Sequence, residues 1–207
     1  MRIVFATGNK DKMREIREIL GGLDAEILSM KEAGVFADVV EDGSSFAENA
    51  RIKADAIYAM LAEKDPEAAE STVVLADDSG LEVDYLNGEP GIYSARYLGK
   101  DTPYTEKNRI IIERLADAKD EERSARFVCA MALAMPDGEV ETSYGTIEGL
   151  ITYEQKGTNG FGYDPIVYVP EYEMTTGEMA PELKNSISHR GKALEQMKDI
   201  ISRRFGK

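Results

Sequence analysis

Two adjacent carboxylates, Asp77 and Asp78, close the continuous apolar run Thr72 to Ala76 and open the segment Asp77-Asp78-Ser79-Gly80. Neighbouring negative charges beside a buried strand repel each other unless a cation or hydrogen bonds compensate. A hard divalent cation is one such partner, since magnesium takes one or two carboxylates and completes its shell with water and phosphate oxygens. Glu41, in the acidic turn Glu41-Asp42-Gly43-Ser44, is the natural second ligand. The plain alternative is an acidic turn whose aspartate caps the next element. A second segment, Thr7-Gly8-Asn9-Lys10-Asp11-Lys12, joins a strand to a helix and presents N–H groups and cations at a helix N-terminus, an arrangement that receives phosphate. It is no Walker A loop, because G-x-x-x-x-G-K-[ST] does not start at Gly8, and G-x-G-x-x-G is absent there too. By itself, a strand-turn-helix with one glycine is more often plain connectivity.

Two later segments add other chemistry. Gly157-Thr158-Asn159-Gly160-Phe161-Gly162-Tyr163-Asp164-Pro165 combines three glycines with two aromatic rings, which allows close backbone approach to a ligand and a flat surface for a base. A flexible loop before a strand is the simpler reading. Ser188-His189-Arg190-Gly191 holds the only histidine, and a lone histidine is usually a surface or capping residue. Together the four segments contain what a nucleotide-hydrolysing site requires: cations and N–H groups for phosphates, carboxylates for a metal, rings and polar groups for a base.

These residues need elements to position them. Arg2 to Ala6 reads as a strand, followed after Thr7-Gly8-Asn9 by a helix with Met13, Ile16, Ile19 and Leu20 on its apolar face, ended by Gly21-Gly22. A second strand fits Ala25 to Leu28. After the Glu41 to Ser44 turn, which offers a cap, Ala47, Ala50, Ala54, Ile57 and Leu61 recur at helical spacing, and Asn49 and Lys53 share another face. Thr72 to Ala76 has the pattern of a doubly buried strand that stops at Asp77. Leu86 to Gly99 reads as a long loop and Tyr104 to Leu115 as a helix capped by Thr102-Pro103. Ala125 to Met135 and Glu141 to Ile151 form a hairpin through Pro136-Asp137-Gly138, and Lys192 to Phe205 is a last helix with Leu194, Met197, Ile200 and Ile201 buried. Strand-helix alternation followed by a hairpin predicts an α/β fold with a mixed sheet.

The bulk properties narrow the partners. A formal net charge of -14 disfavours nonspecific nucleic-acid binding, whereas a small anion can still be taken up in a local cationic pocket or with a metal. The longest apolar run, Phe127 to Met135, is far short of the roughly 20 residues of a membrane-spanning helix. The apolar stretch at the N-terminus is too short for a secretion signal, so no membrane partner and a cytoplasmic location are expected. Cys129 is the lone cysteine and lies within an apolar run, which predicts a small buried thiol rather than a disulfide or thiolate metal site.

The motifs, in type and order, resemble the Ham1/RdgB-type inosine triphosphate pyrophosphatases, also called noncanonical purine NTP pyrophosphatases. T-G-N-x-x-K stands at Thr7 to Lys12, E-x-G-x-[ST]-F-x-E-N-A at Glu41 to Ala50, and A-D-D-S-G-L at Ala76 to Leu81. P-G-[IV]-x-S-A-R-[YF] stands at Pro90 to Tyr97, G-x-G-F-G-Y-D-P around Thr158 to Pro165, and K-x-x-I-S-H-R at Lys184 to Arg190. The pattern departs at Met174, where a lysine is common, and at Asn159, where glycine is commoner.

The resemblance implies one domain over residues 1–207, an elongated mixed-sheet α/β fold of two lobes with the active cleft between them, and a homodimer. It also implies magnesium-dependent hydrolysis of ITP, dITP and XTP to monophosphate and pyrophosphate. Asp78 is then the catalytic carboxylate that orients or deprotonates water and shares magnesium with Glu41, and Asp77 supports it. Thr7, Gly8, Asn9, Lys10, Asp11, Lys12 and Lys53 face the substrate, with Thr7, Asn9, Lys12 and Lys53 holding the triphosphate. Ser79 binds substrate beside Asp78, and Phe161, Gly162, Tyr163, Asp164, Lys184, His189 and Arg190 meet the base. Donors from His189 or Arg190 would favour the 6-keto edge of inosine and xanthine over the amino edge of adenine. The competing reading is a catalytically silent nucleotide-binding protein on the same fold. An enzyme cleaving the γ-phosphate is disfavoured by the missing Walker signature.

Overall fold

The computed structural model describes residues 1–205. Its seven strands are β1 (Arg2–Phe5), β2 (Glu26–Ser29), β3 (Thr72–Val83), β4 (Ser124–Ala134), β5 (Val140–Ile151), β6 (Val167–Val169) and β7 (Met174–Thr175). They make one sheet in the order β2-β1-β3-β4-β5-β6-β7. β1 pairs in parallel with β2 and β3, whereas β6 is antiparallel to both β5 and β7, so the sheet is mixed as expected. The helices are α1 (Lys10–Leu20), α2 (Phe46–Lys64), α3 (Pro66–Ala69), α4 (Tyr104–Arg114), α5 (Pro181–Ile187) and α6 (His189–Phe205).

The chain divides into two compact units. The first contains Met1–Asp78, Cys129–Gly145 and the described residues from Gly191 on. Here period-two alternation sorts the strand side chains onto two faces. Ile3, Phe5, Val73, Leu75, Cys129, Met131 and Leu133 pack with Met13, Ile16 and Leu20 of α1 and Leu194, Met197 and Ile201 of α6. Val4, Ala6, Val74, Ala76, Ala132 and Ala134 pack with Ala50, Ala54, Ile57 and Leu61 of α2. Both faces are covered, which is why Thr72 to Ala76 is apolar without interruption. The alanines on both sides of the second core let α2 approach the sheet closely.

The second unit contains Ser79–Val128 and Thr146–Arg190. Its core is one-sided: Leu81, Val83, Ala125, Phe127, Ile147, Ile151, Val167 and Val169 pack with Ile111 and Leu115 of α4. The alternate positions carry charge. Arg126 donates to Asp84 at 2.9 Å from each of two nitrogens and pairs with Glu148 at 3.0 Å.

Several expectations change in detail. The strand predicted to stop at Ala76 continues through Asp77-Asp78-Ser79-Gly80 to Val83. Polar side chains are tolerated there because partners meet them on each face. α2 is capped by Ser45 rather than by the preceding turn, and Phe46 is buried where Ala47 is exposed. The segment read as a loop from Leu86 contains a 3-10 helix at Gly91–Arg96. α4 has no side-chain cap, since Thr102 Oγ1 donates to the Leu98 carbonyl instead. α6 starts three residues earlier than expected, so His189 and Arg190 belong to its first turn. The Pro136-Asp137-Gly138 hairpin is present, closed by Gly138 N–H to Met135 O at 3.0 Å and Met135 N–H to Glu139 O at 3.1 Å.

Candidate active site

Because Asp77 and Asp78 lie within β3, the pleat turns their side chains to opposite faces of the sheet. Asp77 faces the α1 side, where Lys12 Nζ reaches its two oxygens at 3.0 and 2.9 Å. Asp78 faces the α2 side, where Asn49 Nδ2 donates to Oδ2 at 3.0 Å. The carboxylates are neighbours in sequence yet have separate partners, which removes most of the cost of placing them together. Asp77 is 0% exposed and Asp78 is 8%, so Asp78 is the one with an opening to a ligand.

Local structure delivers each partner. Ala6 N–H bonds to Leu75 O at 2.8 Å, so the Thr7-Gly8-Asn9 turn leaves β1 beside the end of the apolar half of β3. Asn9 is the N-cap of α1: its Oδ1 accepts from Asp11 N–H at 2.8 Å and Lys12 N–H at 3.2 Å, and its own N–H donates to Thr7 Oγ1 at 3.1 Å. That cap sets Lys12 at the end of the first turn. On the other face, Ser45 Oγ caps α2 by accepting from Glu48 N–H, and Glu48 reaches back to the N–H and hydroxyl of Ser44 at 2.8 Å. Gly43 N–H then donates to Asn49 Oδ1 at 2.8 Å. A Cβ on Gly43 would lie 2.8 Å from that same oxygen, so the contact requires glycine.

Lys53 joins the acidic elements. Its Nζ donates to the Asp77 carbonyl at 2.8 Å and pairs with Glu41 Oε1 at 2.8 Å. Burial works against its charge, but Asp77, Glu41 and Asp78 outweigh burial and raise its pKa. Burial raises the Asp78 pKa; the Asn49 hydrogen bond and Lys53 oppose the shift, the Glu41 charge adds to it, and the net shift is upward. Among the described residues no group of three or more His, Cys, Asp or Glu side chains is arranged for a metal ion. The donor set still fits magnesium, which asks of a protein only one or two carboxylates: Asp78 and Glu41 are close enough for one charge to act on the other.

In the second unit Asp164, Lys184 and Arg190 gather around Phe161. Lys184 Nζ lies 4.9 Å and Arg190 Cζ 5.6 Å from its ring centroid. Lys184 also donates to Asp164 Oδ2 at 2.7 Å, and the same oxygen accepts the Phe161 N–H at 2.7 Å. Arg190 Nη2 is 3.4 Å from Ser79 Oγ. His189 is buried and stacks on Phe127 at 5.0 Å and 18°, so it is neither a surface residue nor a simple cap. Tyr163 points into the core, where its hydroxyl donates to the Ser94 carbonyl at 2.7 Å. The loop read as flexible is therefore tightly bonded. Lys10 is exposed, Asp11 pairs with Arg14 at 3.2 Å, and a Cβ on Gly8 would meet open space.

Three residues of the site had no assigned role in the sequence. Asn49 was visible as a polar group beside Lys53, but its two bonds depend on α2 lying close to β3. Thr176 donates to the carbonyl and Oδ1 of Asp164 at 3.1 and 2.9 Å, and Asn108 Nδ2 donates to the Gly162 carbonyl at 3.1 Å. No local spacing signals either contact, because both span many residues of chain.

Known proteins resemble this chain over nearly its full length. The model of the Ham1 family matches residues 3–200. A dITP/XTP pyrophosphatase of Clostridium perfringens is 46% identical over 200 residues, covering 97% of each chain. Two solved structures are similar throughout. A HAM1 protein from Coxiella burnetii has a TM-score of 0.84 and 40% identity, covering 98% of this chain and 99% of its own. The Ham1 protein of Staphylococcus aureus has a TM-score of 0.83 and 37% identity, covering 99% of this chain and all of its own.

Proposed function

Since this chain belongs to the Ham1 family, we propose that it hydrolyses noncanonical purine nucleoside triphosphates (ITP, dITP and XTP) to the monophosphate and pyrophosphate. The observation that carries the chemistry is the divided acid pair. Asp77 is neutralised by Lys12, whereas Asp78 is partly open and has a raised pKa, the property wanted in a carboxylate that takes a proton from water. Water attacks the α-phosphorus, its proton passes to Asp78, the bond to the bridging oxygen breaks, and pyrophosphate leaves. Lys12 and Lys53 offset the charge that develops on the phosphates, and the Thr7 to Asn9 turn positions them. Asp78 and Glu41 would hold magnesium, which would supply further neutralisation of the triphosphate charge. In the second unit, Phe161 with Lys184, His189 and Arg190 receives the base. We assign the enzyme to the cytoplasm as a homodimer acting on a small nucleotide, with all described residues serving one catalytic domain.

The test is to incubate the protein with ITP, XTP, GTP and ATP in magnesium and identify the products. Monophosphate and pyrophosphate are expected from ITP and XTP. Orthophosphate and diphosphate, or nucleotide binding without turnover, would overturn the reading. Asp78→Asn is expected to lose about 10²- to 10⁴-fold in kcat.

A further inference from the structure

We infer that Asn108, a residue of α4, is a positioning residue that sets the angle of the Phe161 ring and thereby the selectivity for the base. The inference rests on the base reading of the Phe161 cluster given above.

Phe161 is held through the backbone of its own turn, on both sides of its Cα. On the N-terminal side its own N–H donates to Asp164 Oδ2 at 2.7 Å. On the C-terminal side its own carbonyl accepts the Asp164 N–H at 3.3 Å, and one peptide further on the carbonyl of Gly162 accepts from Asn108 Nδ2 at 3.1 Å. Asp164 is itself fixed by Lys184 at 2.7 Å and by the Thr176 hydroxyl at 2.9 Å, so the first anchor is rigid. The second anchor acts on a glycine at φ +67°, a conformation with no side chain of its own to hold it. Without Asn108 the Gly162–Tyr163 peptide loses its side-chain anchor at this glycine, and the turn that carries Phe161 loses part of what fixes the ring.

Asn108 also stands out in its own surroundings. It is 1% exposed, yet its Oδ1 has no hydrogen-bond partner among the described residues. Turning the amide over would not relieve this, because Oδ1 would then face the Gly162 carbonyl, one acceptor against another. An orphaned buried acceptor weakens a fold, and an apolar residue of the same shape would avoid that loss. The amide is thus poorly explained by stability and well explained by its one strong donor contact. Gln155, whose Oε1 lies 3.4 Å from Nδ2, is itself tied to the Thr105 carbonyl at 3.0 Å and keeps that side of the amide in place.

The decisive variant is Asn108→Leu, similar in shape and without the donor. Gly162 is only half-buried, so its carbonyl can turn to water and the fold should survive. We expect a melting temperature equal to or above that of the parent. KM for ITP should rise about tenfold with kcat changed less than twofold, and the ITP-over-ATP ratio of kcat/KM should fall about tenfold. Asn108→Ala, which removes the donor and adds neither bulk nor an acceptor, should shift selectivity the same way and covers the case in which the leucine variant does not fold. A parallel loss for ITP and ATP, or a lower melting temperature with unchanged selectivity, would overturn the inference and leave Asn108 a structural residue. Phe161→Ala is the control for the underlying reading: if it leaves the ITP-over-ATP ratio unchanged, the base assignment fails, whereas a change there with none at Asn108 defeats only the positioning role.

Discussion

Asp78 is worse for stability than for function. Its raised pKa means that burial disfavours the charged form, so the folded protein at neutral pH holds a carboxylate it would keep more cheaply as a neutral amide. Asp78→Asn should therefore raise the melting temperature of the nucleotide-free protein while lowering kcat by about 10²- to 10⁴-fold, and a thermal melt beside a pyrophosphate assay checks both. Asp77 behaves in the opposite way, because its charge is matched. Lys12→Met removes the lysine that matches a fully buried carboxylate and should cost about 3 kcal/mol, the low end for a broken buried pair because Lys12 is partly exposed. Adding Asp77→Asn should restore much of that loss, and urea unfolding of the single and double variants measures the coupling.

At the scale of elements, the approach of α2 to the sheet determines whether Asn49 and Lys53 reach β3. Ala50→Leu inserts bulk between Ala50 and the strand alanines, and should destabilise by roughly 1–3 kcal/mol and lower kcat by moving both polar residues. Ala47→Leu, at an exposed position of the same helix, should do neither. Much of this layer was legible in the sequence. The periodicity of Ala50, Ala54, Ile57 and Leu61 and the apolar run Thr72 to Ala76 state which faces are buried, and the Asn9 cap is readable from its position. The continuation of β3 through Asp77 and Asp78 was not legible, because local reasoning treats adjacent charges as the end of a buried strand. Only the partners that α1 and α2 bring from 65 and 29 residues away make a strand possible there. The same limit applies to Asn108 and Thr176. The register has its own implication: Phe5 pairs with Leu75, so Asp77 stands two positions and Asp78 three positions beyond the paired residue, and inserting one residue would exchange their faces.

At the scale of the whole molecule, acid should unfold the protein by releasing carboxylates that folding holds ionised. Hydrogen bonds from Arg17 and Ser29 bring Glu32 down from 4.5 to about 2, and Arg126 and Ser124 lower Asp84. A depressed pKa gives stability that is complete above the unfolded value and is lost as pH falls through the folded value, so for Glu32 the window runs from about 4.5 to about 2. The urea midpoint should fall across that window, and Glu32→Gln should flatten the fall. The charge of -14 also keeps the molecule from polyanions, leaving Lys12 and Lys53 as local exceptions suited to a small phosphate ligand. The division of the chain bears on how the protein is made. The first unit closes its core on Leu194, Met197 and Ile201, whereas Ile3 and Phe5 on the same core leave the ribosome near the beginning of synthesis. Their α6 partners arrive only after the whole second unit has been translated. One face of the first unit must therefore wait with α1 as its only helical cover until α6 emerges, and this is an interval in which apolar surface of the nascent chain is exposed to aggregation.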